Sequence, residues 1–509
     1  MRIKHCLLLS LVIVSSLCCC GKTPQNQGND TPVAPSAITA DPAAIDAGQA
    51  GGPFSVKLTA PSRPKVSDVP SWITVKDGTF NSSTYQMTVT MMLAANDSYS
   101  GRSATLKVSA KNVADAFITV SQAGKEEVKD PVLPDNAAVA RNMELGLGWN
   151  MGNHFDAYAN GVANETAWGG IPATEMTFKG VKAAGFTSVR IPVTWLGHIG
   201  AAPAYTLDET WLNRVYEVVG YAEKAGLKVI VNTHHDEDHG DGHWLNLAGA
   251  VNSEETNARI KEEIAAVWTQ IAEKFKEKGD FLMLESFNEL IYNKEWQSSS
   301  NTEKKCAIIN EWNQVFVDAV RATGGNNATR WLGVPGYAAS PNYLKYLTVP
   351  SDPAKKTMLA FHCYDPYDYT IGEKQLPDWG HTGKSFPRGE EEIKTLFNSI
   401  YTNYIAKDIP IYLGEFGCSF RLKSNVKEWA SFLYYLEYFV KCARVYGVAP
   451  FLWDNGNTGA GAEHHAYLNH GTGQYLDNSK EAVDRMVKAW FSSDPDYTLQ
   501  SIYDSAPQL

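Results

Sequence analysis

The sequence predicts an α/β chain: a (β/α)8 barrel preceded by a small all-β, immunoglobulin-like sandwich. Three observations carry that prediction. Residues 136–509 hold eight short apolar stretches separated by helical patterns, the rhythm of repeated βα units around a parallel sheet. Residues 36–124 instead alternate apolar and polar side chains at period two between turn residues, the texture of a half-buried antiparallel sheet. The chain has 509 residues, 44% hydrophobic and 20% charged, an ordinary globular composition spread over more than one domain.

The elements follow in chain order. Residues 1–20 read as an export signal. Arg2 and Lys4 give a basic start, Leu7 to Leu17 an apolar centre short for a bilayer span, and Cys18, Cys19 and Cys20 close it. A signal ending in cysteine resembles that of bacterial lipoproteins, in which the cysteine becomes the lipid-bearing first residue. Cys20 is favoured because Leu17 stands three residues before it, with Cys19 and Cys18 as alternatives. The resemblance implies a membrane partner through the lipid and a place in the cell envelope, at the outer-membrane surface. Residues 21–35, rich in Thr, Pro, Gln, Asn and Gly, read as a flexible tether.

The sandwich at 36–124 has strand candidates beginning at Phe54, Tyr85, Ala104 and Ala116. It carries no carboxylate pair and no histidine cluster, so it reads as non-catalytic. Trp72, inside an apolar Trp-Ile-Thr-Val stretch, reads as core rather than as a sugar platform. Residues 125–135, charged and with two prolines, read as a stiffer linker. Cys306, Cys363, Cys418 and Cys442 are scattered without disulfide or metal spacing and read as buried free thiols.

The barrel strands are expected at Leu145–Trp149, Ser188–Ile191, Lys228–Asn232, Phe281–Glu285, Trp331–Val334, Met358–His362, Pro410–Gly414 and Pro450–Trp453. The clearest helix lies over Asn257–Lys278, where Ile260, Ile264, Val267, Ile271 and Phe275 share one face. A doubly wound open sheet fits less well, because no Gly-rich phosphate loop follows the first strand.

In such barrels the chemistry gathers at the C-terminal ends of the strands. Strand four ends in Asn288-Glu289 and strand seven in Glu415, on roughly opposite sides of the mouth. Cleaving a glycosidic bond needs an acid for the leaving oxygen and a carboxylate to meet the positive charge that develops at the sugar carbon. Arg190 is placed to hold Glu415 ionised, while burial and the like charge of Glu415 keep Glu289 protonated. His362 and Tyr364 stand between the acids, and Asn288 is placed to donate to a sugar hydroxyl. His234, favoured over His235 to face the substrate, lies on the same rim. Asn153, His235, Trp244, Trp379, Trp453 and Asn455 are candidate substrate contacts, with Trp168 and Trp195 as further aromatic candidates. His234, His235, Asp236, Asp238, His239, Asp241 and His243 crowd together, but their spacing fits no common ligand motif. Neither a metal nor another cofactor is expected. A net charge of -11 argues against a nucleic-acid partner.

Arg190, His234, Asn288-Glu289, His362, Tyr364, Glu415 and Trp453, in strand order over about residues 136–505, resemble glycoside hydrolase family 5 of clan GH-A. Gly148-Trp-Asn-Met-Gly-Asn153 and Asn232-Thr-His-His-Asp-Glu237 resemble its subfamily 4, which holds endo-β-1,4-glucanases and xyloglucanases. Pro70-Ser71-Trp72-Ile73, Gly101-Arg102 and Gln122-Ala-Gly124 resemble the BACON domain, frequent at the front of Bacteroidetes glycan-degrading lipoproteins. The resemblance implies a retaining mechanism with Glu415 as nucleophile and Glu289 as acid/base. It also implies a plant β-glucan partner, xyloglucan first, with cellulose or mixed-linkage glucan as alternatives; the enzyme is expected to act as a monomer. A surface glycan-binding lipoprotein that does not cut would lack one of the two glutamates, and both are present.

Overall fold

The computed structural model describes residues 33–96, 98, 100–124, 130–237 and 243–509. The expected signal, most of the tether and the candidate lipidation sites Cys18, Cys19 and Cys20 lie outside the described residues. The chain divides into two compact units, Met1–Lys129 and Asp130–Leu509.

The first unit is all-β. One four-stranded sheet runs Thr39–Asp41, Gly52–Thr59, Gln86–Leu93, Ile73–Asp77; the other runs Ala44–Ala47, Ala116–Gln122, Arg102–Ser109, Lys65–Ser67. The period-two pattern is realised in burial. Val56, Leu58, Val89, Met91, Leu106, Val108, Ile118 and Val120 are all fully buried in one core. Trp72 packs half-buried against that core, and the Arg102 guanidinium lies 4.5 Å over its ring. Arg102 is itself tied to Gln122 and to the Ala94 carbonyl. Trp72 is therefore covered by its own domain rather than presented as a platform.

The second unit is a closed parallel barrel with helices outside it. Strand one is Gly148–Met151, strand two Ser188–Ile191, strand three Lys228–Asn232 and strand four Leu282–Glu285. Strand five is Leu332–Pro335, strand six Thr357–Cys363, strand seven Ile411–Phe416 and strand eight Pro450–Asp454. Strand eight pairs back onto strand one. The helix expected from Asn257 runs Glu254–Phe275, because the Ser253 side chain accepts from the Thr256 N–H and caps it earlier. Its five apolar positions are all fully buried. The four cysteines of the barrel are buried and free. Among the described residues no helix is long and apolar enough to cross a membrane.

Two expectations need correction. Of the expected linker, 125–129 lies outside the described residues, and the stretch from Asp130 is docked on the barrel. Asp130 pairs with Lys394 at 2.9 Å, and the Val132 carbonyl accepts from the Tyr401 hydroxyl at 3.3 Å. Trp379 is no sugar platform. Its indole is fully buried, edge-on to Tyr435 at 5.1 Å and tilted against Tyr434 and Tyr438 of the helix Val426–Val445. Its backbone N–H donates to Ser431 Oγ at 2.9 Å. Gly389 makes room for it, since a Cβ there would stand 2.2 Å from the indole nitrogen. Trp379→Ala is expected to destabilise the barrel by about 3–5 kcal/mol, the range for an aromatic lost from a packed core. Chemical unfolding followed by barrel tryptophan fluorescence measures it.

Candidate active site

The site is built by strand ends. Between strands six and seven the register slips beside Phe361 and His362, which brings His362 opposite Glu415. Such a bulge re-aims side chains at a rim. Gly414 lies directly beneath, and a Cβ at that position would stand 2.9 Å from His362 Nε2. The imidazole therefore needs glycine there. His362 Nδ1 lies 2.7 Å from Glu289 Oε1 and 3.7 Å from Glu415 Oε1. One oxygen of Glu289, one of Glu415 and one nitrogen of His362 all fall within 4.8 Å of one another.

Arg190, with no solvent exposure, organises the floor of the site. Its Nη1 donates to Glu415 Oε1 at 2.6 Å and to Asn150 Oδ1 at 3.1 Å. Its Nη2 donates to Asn288 Oδ1 at 2.9 Å, and its Nε to Glu285 Oε2 at 2.6 Å. The Tyr364 hydroxyl donates to the other Glu415 oxygen at 3.0 Å. Both oxygens of Glu415 are thus fixed, and Asn288 is held by its amide oxygen.

Burial pushes the Glu415 carboxyl above its ordinary value, with His362 and Arg190 pulling the other way. The expectation that Arg190 simply depresses this carboxyl is thereby corrected: the cation offsets desolvation without overcoming it. Burial lowers the His362 imidazole to about 4 and His234 well below its ordinary value, so both rings are neutral near pH 7. Burial and the Glu415 charge push the Tyr364 phenol well up, which keeps it a donor. A carboxylate held at both oxygens, a second carboxyl within 4.8 Å and neutral imidazoles around them are suited to attack and proton transfer at one sugar carbon.

The profile described as Cellulase (glycosyl hydrolase family 5) matches residues 152–459. The chain belongs to glycosyl hydrolase family 5. Among solved structures of the family, a Bacteroidetes-affiliated cellulase linked with a polysaccharide utilization locus is 43% identical. That match covers 74% of this chain and 98% of the other, with a TM-score of 0.71. A broad-specificity endoglucanase from Bacteroides salanitronis is 44% identical, over 72% of this chain and 99% of the other, with a TM-score of 0.67. A xyloglucan-specific endo-beta-1,4-glucanase of Bacteroides ovatus is 31% identical over 80% of this chain and 84% of its own. A second profile, BACON, described as a putative N-terminal binding domain, matches residues 65–123. This family 5 member is a glycoside hydrolase.

The remaining rim residues divide. Trp453, the last residue but one of strand eight, stacks on His234, the rings 5° from parallel at 5.9 Å, and Gly152 leaves the space for its ring. His235 meets His234 edge-on and lies 5.6 Å from the ring of Trp168, which is 43% exposed. Asn153 sits in the left-handed region at φ 54, and its N–H donates to Asp156. Trp244 is half-buried and donates to Asp236 at 2.9 Å. Two aromatic and amide candidates are corrected. Trp195 is fully buried, its indole N–H on the Asn232 carbonyl. Asn455 spends its amide inside the final loop, accepting from His465 N–H and donating to the Glu463 carbonyl.

Several residues escaped the sequence reading: Glu285 and Asn150 on Arg190, and Asp156 beside His235. A charge ending the otherwise apolar Leu282–Glu285 strand was the available signal for Glu285. Asp156, His234 and His235 bring three possible ligand atoms within 4.8 Å, while Asp238, His239 and Asp241 of the histidine-rich stretch lie outside the described residues. His235 stands 3.6 Å from Asp156 and 3.7 Å from Glu237. Burial opposes a charge on it, but hydrogen bonds and charges from both carboxylates outweigh burial and raise it to about 10. A pKa raised on folding adds stability that is complete below the unfolded value and vanishes above the folded one. The melting-temperature gap between wild type and His235→Gln is therefore expected to be widest below about pH 6.5. It should shrink as pH rises towards about 10, and a scanning-calorimetry pH series reads it.

Proposed function

We propose that this chain is a retaining endo-β-1,4-glucanase with xyloglucan as its preferred polymer, Glu415 as nucleophile and Glu289 as acid/base. The observation that carries the reading is the approach of the Glu289 and Glu415 oxygens to within 4.8 Å. Retaining enzymes hold their carboxyl groups about 5–5.5 Å apart, whereas inverting enzymes leave room for a water between them. In the first step a Glu415 oxygen bonds to the anomeric carbon, the glycosidic bond breaks, and the leaving oxygen takes the proton of Glu289. In the second step Glu289 removes a proton from water, the water oxygen bonds to the same carbon, and the bond to Glu415 breaks. Arg190 and Tyr364 orient the attacking carboxylate. His362 faces Glu289 as a neutral ring that serves either protonation state. Asn288 presents its amide nitrogen to the sugar hydroxyl beside the reacting carbon, since its oxygen is taken by Arg190.

Xyloglucan is supported by the Bacteroides ovatus relative, whose alignment covers 80% of this chain. The second reading, broad action on cellulose and mixed-linkage glucan, is favoured by the higher identity, 44%, of the broad-specificity neighbour. Product release from xyloglucan, mixed-linkage glucan, carboxymethyl cellulose and mannan separates them. Xyloglucan well ahead is expected; equal rates on unbranched glucans select the second reading. Glu415→Ala and Glu289→Ala are each expected to lower kcat by at least about 100-fold, and a fully active Glu415→Ala would sink the two-glutamate mechanism.

We also propose that the chain is lipid-anchored in the cell envelope, supported by the basic start and the Cys18-Cys19-Cys20 close of its leader. Radiolabelled palmitate fed to expressing cells should enter the chain, and should be lost when all three cysteines are replaced by alanine. Labelling that survives the triple replacement rules out an anchor at these cysteines.

A further inference from the structure

We propose that Glu285 is a positioning and charge-balancing residue for the reaction: it pins and neutralises Arg190, keeping the Glu415 carboxylate a strong nucleophile and leaving no lone cation when Glu415 is glycosylated. The proposal rests on the two-glutamate reading above.

The geometry is specific. Glu285 ends strand four, and both it and Arg190 have no solvent exposure. Glu285 Oε2 takes the Arg190 Nε at 2.6 Å. With Nε engaged on that side, the planar fork turns both terminal nitrogens elsewhere, Nη1 to Glu415 and Nη2 to Asn288. A guanidinium anchored at Nε has a fixed plane, so Glu285 sets the direction from which Glu415 is held. It never needs to touch the sugar.

The charges make the second half of the case. In the resting enzyme Arg190 faces two carboxylates, Glu285 and Glu415. When Glu415 forms its ester with the sugar, its charge is lost, and the Arg190–Glu285 pair remains neutral. Without Glu285 the ester would stand against an unbalanced buried cation. The anomeric carbon, itself positive in both transition states, would meet that cation through a medium that screens poorly. In the resting enzyme the same cation would bear on Glu415 alone and draw its pKa down, making a weaker base and a weaker nucleophile.

The other groups facing this cluster do not supply the missing charge. Strand seven contributes the Tyr412 hydroxyl beside Glu285, buried and held neutral. The loop after strand three contributes His234 and strand six His362, both neutral near pH 7. Asn150 on strand one is uncharged, and Glu289 is the proton donor. Arg141, from the helix Ala137–Leu145, reaches towards Tyr412 and Met283 but pairs with Glu144. Glu285 is the anion that this cluster holds in reserve for Arg190.

The test is the acid limb of kcat/KM for the full-length chain on the best-cleaved β-glucan. The limb falls where the nucleophile becomes protonated, so a lower Glu415 pKa moves it to lower pH. Glu285→Gln keeps shape and removes charge, and should move the limb down by roughly one pH unit or more. Removing Glu285 also lowers His362, in the same direction. A merely structural role predicts a lower melting temperature with the limb unmoved, and that result overturns the proposal. If Glu285→Gln fails to fold, Glu285→Asp takes its place. Its carboxylate stands back by one methylene and should move the limb the same way by less, and an unmoved limb overturns the proposal there too. A wild type that cleaves no β-glucan, or a fully active Glu415→Ala control, instead overturns the two-glutamate reading and this proposal with it.

Discussion

One buried cation governs this barrel. Taking a guanidinium out of water costs several kcal/mol unless it is closely surrounded by acceptors. The chain meets that demand by converging Asn150, Glu285, Asn288 and Glu415 on Arg190 from strands one, four and seven. A parallel barrel allows this because the strand ends reach one rim at similar height. The cost of leaving Arg190 unsatisfied in turn penalises any slip of strand register. The same contacts that solvate the cation therefore locate the two carboxyls.

The histidines play the complementary part. His234 and His362 sit close enough to Arg190 that burial and its field both discourage protonation. They enter the site as uncharged hydrogen-bonding rings. His235, one residue beyond His234, faces Asp156 and Glu237 instead and is held protonated. Adjacent residues of the same type thus differ in charge because the rim turns one towards the arginine and the other towards acids.

Much of this was legible in the sequence, for identifiable reasons. Strands two and three are short, largely apolar stretches, and they were placed where they stand. Arg190, Glu289, His362, Tyr364 and Glu415 were legible because polar groups at the ends of apolar strands have few other reasons to be there. Glu285 was passed over because its partner, Arg190, lies 95 residues away. Trp379 misled for a similar reason. Its neighbours in the chain are polar, and the tyrosines that receive it belong to a helix more than fifty residues later. The start of the helix Glu254–Phe275 was set by the Ser253 side chain accepting from the Thr256 N–H, which hydrophobic spacing does not register. Local pattern announces elements; it does not announce which distant surface a side chain will meet.

Asp454 closes the circle of strands. Its oxygens accept from the Trp149 indole on strand one and from the N–H groups of Gly456, Tyr467 and Leu468, with His470 at 3.2 Å. Trp149 and Asp454 are 305 residues apart. A chain made from its N-terminus therefore carries strand one with an open edge until Asp454 has followed Trp149, 305 residues later. The ring can seal only once strand eight and the loop that wraps this carboxylate have both been made. Until then that edge is a row of unpaired N–H and C=O groups, open to pairing with another chain.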